Sequence, residues 1–259
     1  MKVDFPLLRV FADPDEVARA AADEFARRAR SKVESGRVFT VALSGGSTPK
    51  RLYELLATDP YRRQVPWRDI HFFWGDERTV PPDDAESNFG AADERLFSQV
   101  DVPAGNIHRI KGEAGDAIAA AADYEAELLL FFGLEEGEFP RFDLVFLGMG
   151  PDGHTASLFP GTQALSEMRR LAVAPWIEKL QTHRVTLTCP VFNKAACIRF
   201  LVTGTDKADT LKAVLDGSPD KPQYPAQLVR PESGDLTWLV DEAAARLLWQ
   251  HHGTTFAFR

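Results

Sequence analysis

Cysteine is scarce: Cys189 and Cys197 are the only two in 259 residues. They form neither a disulfide framework nor a paired metal-type spacing, so both read as small buried side chains in a reducing compartment. Long apolar runs are missing too. None approaches the roughly 20 residues of a membrane span, and Met1-Lys2-Val3-Asp4-Phe5-Pro6 has no signal-type apolar stretch. A cytoplasmic protein with no membrane contact is the expectation. Positive charge is in deficit, with 30 Lys and Arg against 38 Asp and Glu and a formal net charge of −8. A nucleic-acid surface calls for a basic face, so that partner is set aside, while a locally positive pocket for a small anion stays open. No G-x-S-x-G elbow is present, which argues against a serine hydrolase. Neither His251-His252 nor the cysteines supply a zinc constellation, and no metal is expected.

What is present is an ordinary globular composition, 44% hydrophobic and 26% charged, on a chain long enough for a substantial core. Strand and helix patterns alternate along it. Leu8 to Phe11 reads as a strand, and Asp13-Pro14 opens a helix, with Asp13 as N-cap, Pro14 at the first helical position and Glu16 in the capping-box place. Arg37 to Leu43 is a strand that runs into Ser44-Gly45-Gly46-Ser47-Thr48, and Pro49 starts a helix through Leu56. Ile70 to Trp74 is a third strand, followed by a polar loop to about Ser87 and a helix to Phe97.

Asp116 to Phe132 is helical, and Phe142 to Leu147 is the next strand. Arg184 to Thr188 and Cys197 to Thr203 are further strands with a helix between them. Asp206 to Leu215 is a helix with Gly217 as C-cap, and Leu236 to Val240 and Asp241 to Trp249 are a last strand and helix. This alternation predicts an α/β protein with a mostly parallel sheet and helices on both faces. Stretches such as Asp216 to Pro225 are too short for interdomain linkers, so residues 1–259 are expected to form one domain.

Three strand ends carry the chemistry, because open α/β sheets bind ligands beyond the carboxyl ends of their strands. The first is Ser44-Gly45-Gly46-Ser47-Thr48-Pro49. Small residues let backbone approach a ligand, and a helix N-terminus attracts anions. Its bland alternative is a tight turn with Thr48 as N-cap. The second is Trp74-Gly75-Asp76-Glu77-Arg78, where Arg78 can fork onto a phosphate and Asp76 can accept from sugar hydroxyls. A solvated charge cluster, or an Asp–Arg pair that merely holds the loop, explains the same letters.

The third follows the apolar run Phe142 to Leu147: Gly148-Met149-Gly150-Pro151-Asp152-Gly153-His154. A titratable imidazole on a glycine turn, two residues after an Asp, is a candidate for proton transfer, with a structural histidine as the alternative. Backbone N–H groups of the glycine turn are candidate oxyanion donors. The turn also satisfies G-x-G-x-x-G, but Pro160-Gly161 interrupts the helix that should follow and no suitably placed acidic residue ends a next strand. NAD binding is discounted.

In this order, the segments resemble the 6-phosphogluconolactonases, of the glucosamine-6-phosphate isomerase/6-phosphogluconolactonase family. The stretches are Ala42 to Pro49, Trp74 to Val80 with Glu86-Ser87-Asn88, Leu147 to Gly161, His183 to Thr188, and Thr203-Gly204-Thr205-Asp206-Lys207-Ala208. The related deaminases carry a glutamate soon after the histidine, where this chain has Leu158-Phe159-Pro160, and read Met-Asp-Glu-Tyr for Gly75-Asp76-Glu77-Arg78.

The resemblance implies a modified Rossmann-like fold, no metal or cofactor, and hydrolysis of 6-phospho-D-glucono-1,5-lactone to 6-phosphogluconate in the oxidative pentose phosphate pathway. It implies His154 as general base, with Asp152 holding its ring. Ser44, Gly45, Gly46, Ser47, Thr48, Arg78, Arg184 and Lys207 are implied to grip the 6-phosphate, and Asp76, Gly150 and Gly153 to meet the rest of the substrate. For Arg184 a solvent-facing strand start is the alternative. Lys207 sits in a helix's first turn, where the macrodipole disfavours a cation unless an anion is near. The expected partner is thus a small sugar-phosphate lactone, with the chain a monomer or weak homodimer. A sugar-phosphate deaminase and a non-catalytic sugar-phosphate sensor are the competing readings.

Overall fold

The computed structural model describes residues 7–248. The N-terminal hexapeptide, Trp249 at the end of the expected last helix, and His251-His252 lie outside that range. β1 (Leu7–Phe11) leads into α1 (Pro14–Glu34), whose start follows the expected cap: Asp13 Oδ1 accepts from the Glu16 amide at 2.9 Å. The Glu16 carboxylate reaches back to the Ala12 amide at 3.1 Å, one residue beyond the usual capping-box partner. Val17, Ala21, Phe25 and Ala29 recur at helical spacing and are fully buried, seating α1 against the sheet.

β2 (Phe39–Leu43), α2 (Ser47–Leu56), the single turn α3 (Tyr61–Gln64) and β3 (Ile70–Trp74) follow. Next come β4 (Asp76–Arg78), α4 (Asn88–Arg95), α5 (Ala117–Phe132) and β5 (Leu144–Leu147). Two short strands, β6 (Ala172–Val173) and β7 (Trp176–Ile177), precede β8 (Thr182–Leu187), α6 (Cys189–Lys194) and β9 (Cys197–Val202). α7 (Ala208–Leu215), β10 (Asp235–Asp241) and α8 (Glu242–Ala245) complete the described chain. The cap of α7 is Asp216, one residue before the expected Gly217.

Six strands form a wholly parallel sheet in the order β1-β10-β9-β5-β2-β3. Every residue of β2, β5 and β9 is buried, as a strand covered on both faces requires. The order reverses between β2 and β5: β2 leads outward to β3, while β5 leads back through β9 and β10. That reversal opens a crevice at the carboxyl edge.

A second, smaller sheet stands beside the expected parallel one. β4, β8 and β6 pair antiparallel, with β7 also on β8. β4 lies inside the stretch read as loop, since three polar residues carry no periodicity. The strand expected over Arg184 to Thr188 is present as β8, but it pairs in this second sheet, because pattern reports a strand and not its partner.

Both cysteines are buried and unpaired, and burial pushes their thiols up to about 11 at Cys189 and about 12 at Cys197. Among the described residues, no helix is long and apolar enough to cross a membrane.

Away from the strand ends, Glu24 of α1 meets Arg199 of β9, whose side chain is only 6% exposed, at 2.5 Å, and Arg28 at 2.8 Å. Burial alone would raise the Glu24 carboxyl, but the two guanidiniums hold it below its ordinary value. Its contribution is therefore present above the unfolded carboxylate pKa and lost as pH falls through the folded one. Glu24→Ala leaves the buried Arg199 charge with Asp235 as its one carboxylate partner among the described residues and should cost about 3 kcal/mol by urea unfolding. Adding Arg199→Met should recover a large part of the loss. Equal stability of wild type and Glu24→Ala would contradict this account.

Candidate active site

β5 lies between β2 and β9, so the loops after these three parallel strands meet at one edge. Between them is a cleft of about 320 Å³. Ser44, Gly45, Gly46, Ser47 and Thr48 line one wall, Gly148, Gly150 and His154 the floor, and Thr203 and Lys207 the far wall. Asp76, Arg78 and Asn88 close it from the second sheet and α4.

The first loop ends at a helix start that no side chain caps: α2 begins at Ser47 with Gly46 as its N-cap, so its first amides face the cleft edge uncompensated. Thr48 is not the N-cap: it sits inside the first turn, and its Oγ1 meets Thr203 Oγ1 at 2.8 Å. Ser44 is buried and its Oγ has no partner. Gly45 is required by close approach, since a Cβ there would lie 1.9 Å from Asn88 Oδ1. Asn88, which motif reading did not single out as a site residue, donates its amide to the Asp76 carbonyl at 2.9 Å. Its signal was its place after Ser87, a sound N-cap for α4.

The Asp76-Glu77-Arg78 cluster is not a solvated charge run. Asp76 and Glu77 are buried, and alternation along β4 sends them to opposite faces. Glu77 accepts the Asn88 and Phe89 amides at 2.7 Å each, tying down the start of α4. Burial pushes its carboxyl up against those bonds. Asp76 accepts from Ser157 Oγ at 2.7 Å, which links the second sheet to the loop after β5.

Arg78 stands directly opposite Arg184 in the β4–β8 register. Like charges facing one another across strands destabilise each other. Arg78 also donates to the Glu86 carbonyl. Arg184 is half-buried rather than solvent-facing, and its Nη1 is buried without a partner. Burial first, and then the Arg78 charge, lower its pKa, with Asp76, Glu86 and Glu77 offsetting part of the shift. Arg184 does not itself line the cleft; it backs Arg78 from the neighbouring strand. Lys207 ends the short 3-10 turn before α7, its side chain 20% exposed and 3.0 Å from Asp206. It enters the cleft wall at a helix N-terminus, where the macrodipole opposes a cation.

His154 Nδ1 bonds to Asp152 Oδ1, and Lys179 bonds to Asp152 Oδ2. Burial opposes ionisation of Asp152, but the hydrogen bonds from His154 and Lys179 win and hold its carboxyl well below the usual range. An ionised carboxylate only accepts, so Nδ1 carries a proton, and the lone pair of the neutral ring is the one on Nε2. The imidazole stacks on Phe159, ring centroids 4.0 Å apart at 23°.

Gly150 leaves the space the imidazole occupies: a Cβ there would fall 2.0 Å from both Cε1 and Nδ1. Its amide donates to the His154 carbonyl at 2.9 Å and that of Gly153 to the Gly150 carbonyl at 3.0 Å. These two of the turn's amides are therefore already spent on the turn. Gly153 is outside the cleft lining and packs on Tyr224 instead. No helix follows the glycine turn; the chain continues into a 3-10 turn at Gln163–Ser166, unlike a dinucleotide-binding unit.

A family model described as glucosamine-6-phosphate isomerases/6-phosphogluconolactonase matches residues 12–238. The chain belongs to that family. It is 46% identical to the 6-phosphogluconolactonase of Synechocystis sp. over 81% of this chain and 84% of the relative. It is 39% identical to that of Haemophilus influenzae over 89% and 97%. A solved structure of 6-phosphogluconolactonase from Trypanosoma cruzi superposes with a TM-score of 0.84 at 32% identity, covering 94% of this chain and 97% of that one.

Within this family member the dyad makes two structural predictions. Gly150→Ala should push the imidazole off Asp152 while the chain stays folded, seen as a displaced His154 Hε1 resonance beside wild type. An unmoved resonance would refute the close-approach argument. Because the folded Asp152 pKa is depressed, its contribution to stability is present above the unfolded value of about 3.9 and lost as pH falls through the folded value. Asp152→Asn should then be less stable than wild type near neutral pH, and the gap should shrink near pH 3 in paired urea titrations.

Proposed function

We propose that this chain hydrolyses 6-phospho-D-glucono-1,5-lactone to 6-phospho-D-gluconate, the lactonase step of the oxidative pentose phosphate pathway, with neutral His154 as general base. The observation that carries the reading is that one cleft holds an oriented imidazole at its floor and cations with uncapped amides on its walls. Family membership and the named relatives support the substrate. In this reading the phosphate is gripped by the Ser44–Thr48 loop, Arg78 and Lys207, with Arg184 reinforcing Arg78. The unpartnered Ser44 hydroxyl is the kind of buried donor that a bound anion satisfies.

A δ-lactone is an activated ester and needs no covalent nucleophile. Nε2 takes a proton from a water as its oxygen attacks C1, and the alkoxide that forms collapses, breaking the bond from C1 to the ring oxygen. The imidazolium returns the proton to that oxygen, giving the open-chain acid and neutral His154. Asp152 keeps Nδ1 protonated and stabilises the imidazolium. In the same reading Asp76, held by Ser157, accepts from a sugar hydroxyl. Phosphate binding far from C1 fixes the carbonyl against the water.

A deaminase reading is disfavoured by Phe159, which stacks on His154 in the segment where the deaminases carry their glutamate. Assayed with 6-phosphogluconolactone, and with spontaneous hydrolysis subtracted, His154→Gln should lose roughly 10²–10⁴-fold in kcat with KM nearly unchanged. Arg78→Ala and Lys207→Ala should chiefly raise KM. Wild-type turnover by His154→Gln, or ammonia release from glucosamine 6-phosphate by the wild type, would overturn the proposal.

A further inference from the structure

We propose that Lys179 is a positioning residue for the His154 base, an inference that rests on the lactonase reading of the cleft. Lys179 comes from the short turn Glu178–Leu180 between β7 and β8, 25 positions after His154 in a separate element. It touches both groups that hold the imidazole. Its ammonium bonds to Asp152 Oδ2, while Oδ1 of the same carboxylate serves His154 Nδ1. It also lies 4.6 Å from the centre of the Phe159 ring, the ring that stacks on His154. One cation thus fixes the in-plane partner and the face partner of the base together.

The geometry has a chemical consequence. Asp152 also accepts from the His154 backbone amide at 3.3 Å, so its position is set by the turn and by Lys179 jointly. Without the ammonium, the Oδ2 side of the carboxylate is released to water, and rotation about χ2 can exchange the oxygen that faces Nδ1. Lys179 is 51% exposed, so replacing it leaves no buried void. It lines a separate cavity behind the His154 loop, with Trp176, Glu178 and Glu167, and does not line the cleft that holds the cationic walls. A direct grip on the phosphate is therefore not its part.

The sign of the pH effect follows from charge. The charged groups on the surrounding walls are Asp76 and Arg78 of β4, Lys207 before α7, and Glu167 and Glu178 beside Lys179. Among the described residues, only Lys179 of these bonds to the Asp152–His154 pair. Removing it deletes a positive charge near the imidazole, which favours the imidazolium. The base is then neutral only at higher pH.

The test compares Lys179→Met, Lys179→Arg and His154→Gln with wild type, using 6-phosphogluconolactone for kinetics and the His154 Hε1 resonance for titration without substrate. Lys179→Met should lower kcat roughly tenfold, leave KM within twofold, and move both the acid limb of kcat/KM and the His154 titration to higher pH. Lys179→Arg should restore most of the loss. A wild-type kcat and an unmoved titration in Lys179→Met would overturn the proposal, as would a raised KM at unchanged kcat, which marks a substrate-binding group. If His154→Gln keeps turnover, the general-base reading fails, and the titration still decides whether Lys179 governs the imidazole.

Discussion

Parallel strands must deliver all their carboxyl ends to one edge, and in this sheet β5 lies directly between β2 and β9. That adjacency is the constraint behind the cleft. Residues more than a hundred positions apart, Ser44 and His154 or Thr48 and Thr203, become neighbours because β5 pairs with β2 on one side and β9 on the other, without any long reach of a side chain. The loops approach so closely that two positions admit no side chain. Gly45 gives way to Asn88 and Gly150 to the imidazole, so the missing Cβ atoms shape the cavity as much as the groups present.

The molecule treats its buried guanidiniums in two ways. Arg199 is matched on every side by Glu24, Asp235 and a backbone carbonyl, and its charge is spent inside the fold. Arg184 faces Arg78 and keeps a buried N–H with no partner. Leaving such a donor unmatched costs about 1–3 kcal/mol or more. The contrast separates an arginine whose charge is matched inside the fold from one whose charge the fold leaves partly unmatched. Burial alone would not distinguish them.

The long apolar strands, the Asp13 cap of α1 and the glycine-bearing strand ends were legible from residue order because each depends on neighbours a few positions away. Other features were not. β4 is three polar residues whose strand character exists only through β8. Thr48 looked like an N-cap because it precedes Pro49, yet the helix starts earlier at Ser47, and only the fold supplies Thr203 as its partner. The amides of Gly150 and Gly153 looked free because a turn's internal hydrogen bonds depend on its closed geometry. Asp152 and His154, two residues apart, could have met or diverged; the short turn brings the carboxylate onto Nδ1.

Residue order by itself determined the α/β class, the strands that reach the cleft and the chemical types gathered at their ends, since periodicity and turn chemistry are local. Tertiary structure alone decided that Arg78 confronts Arg184, that Asp76 is held by Ser157, and that Lys179 meets the carboxylate behind His154. Each of these joins segments with no shared local pattern. Their meeting is set by strand pairing and sheet packing, which act across the chain rather than along it.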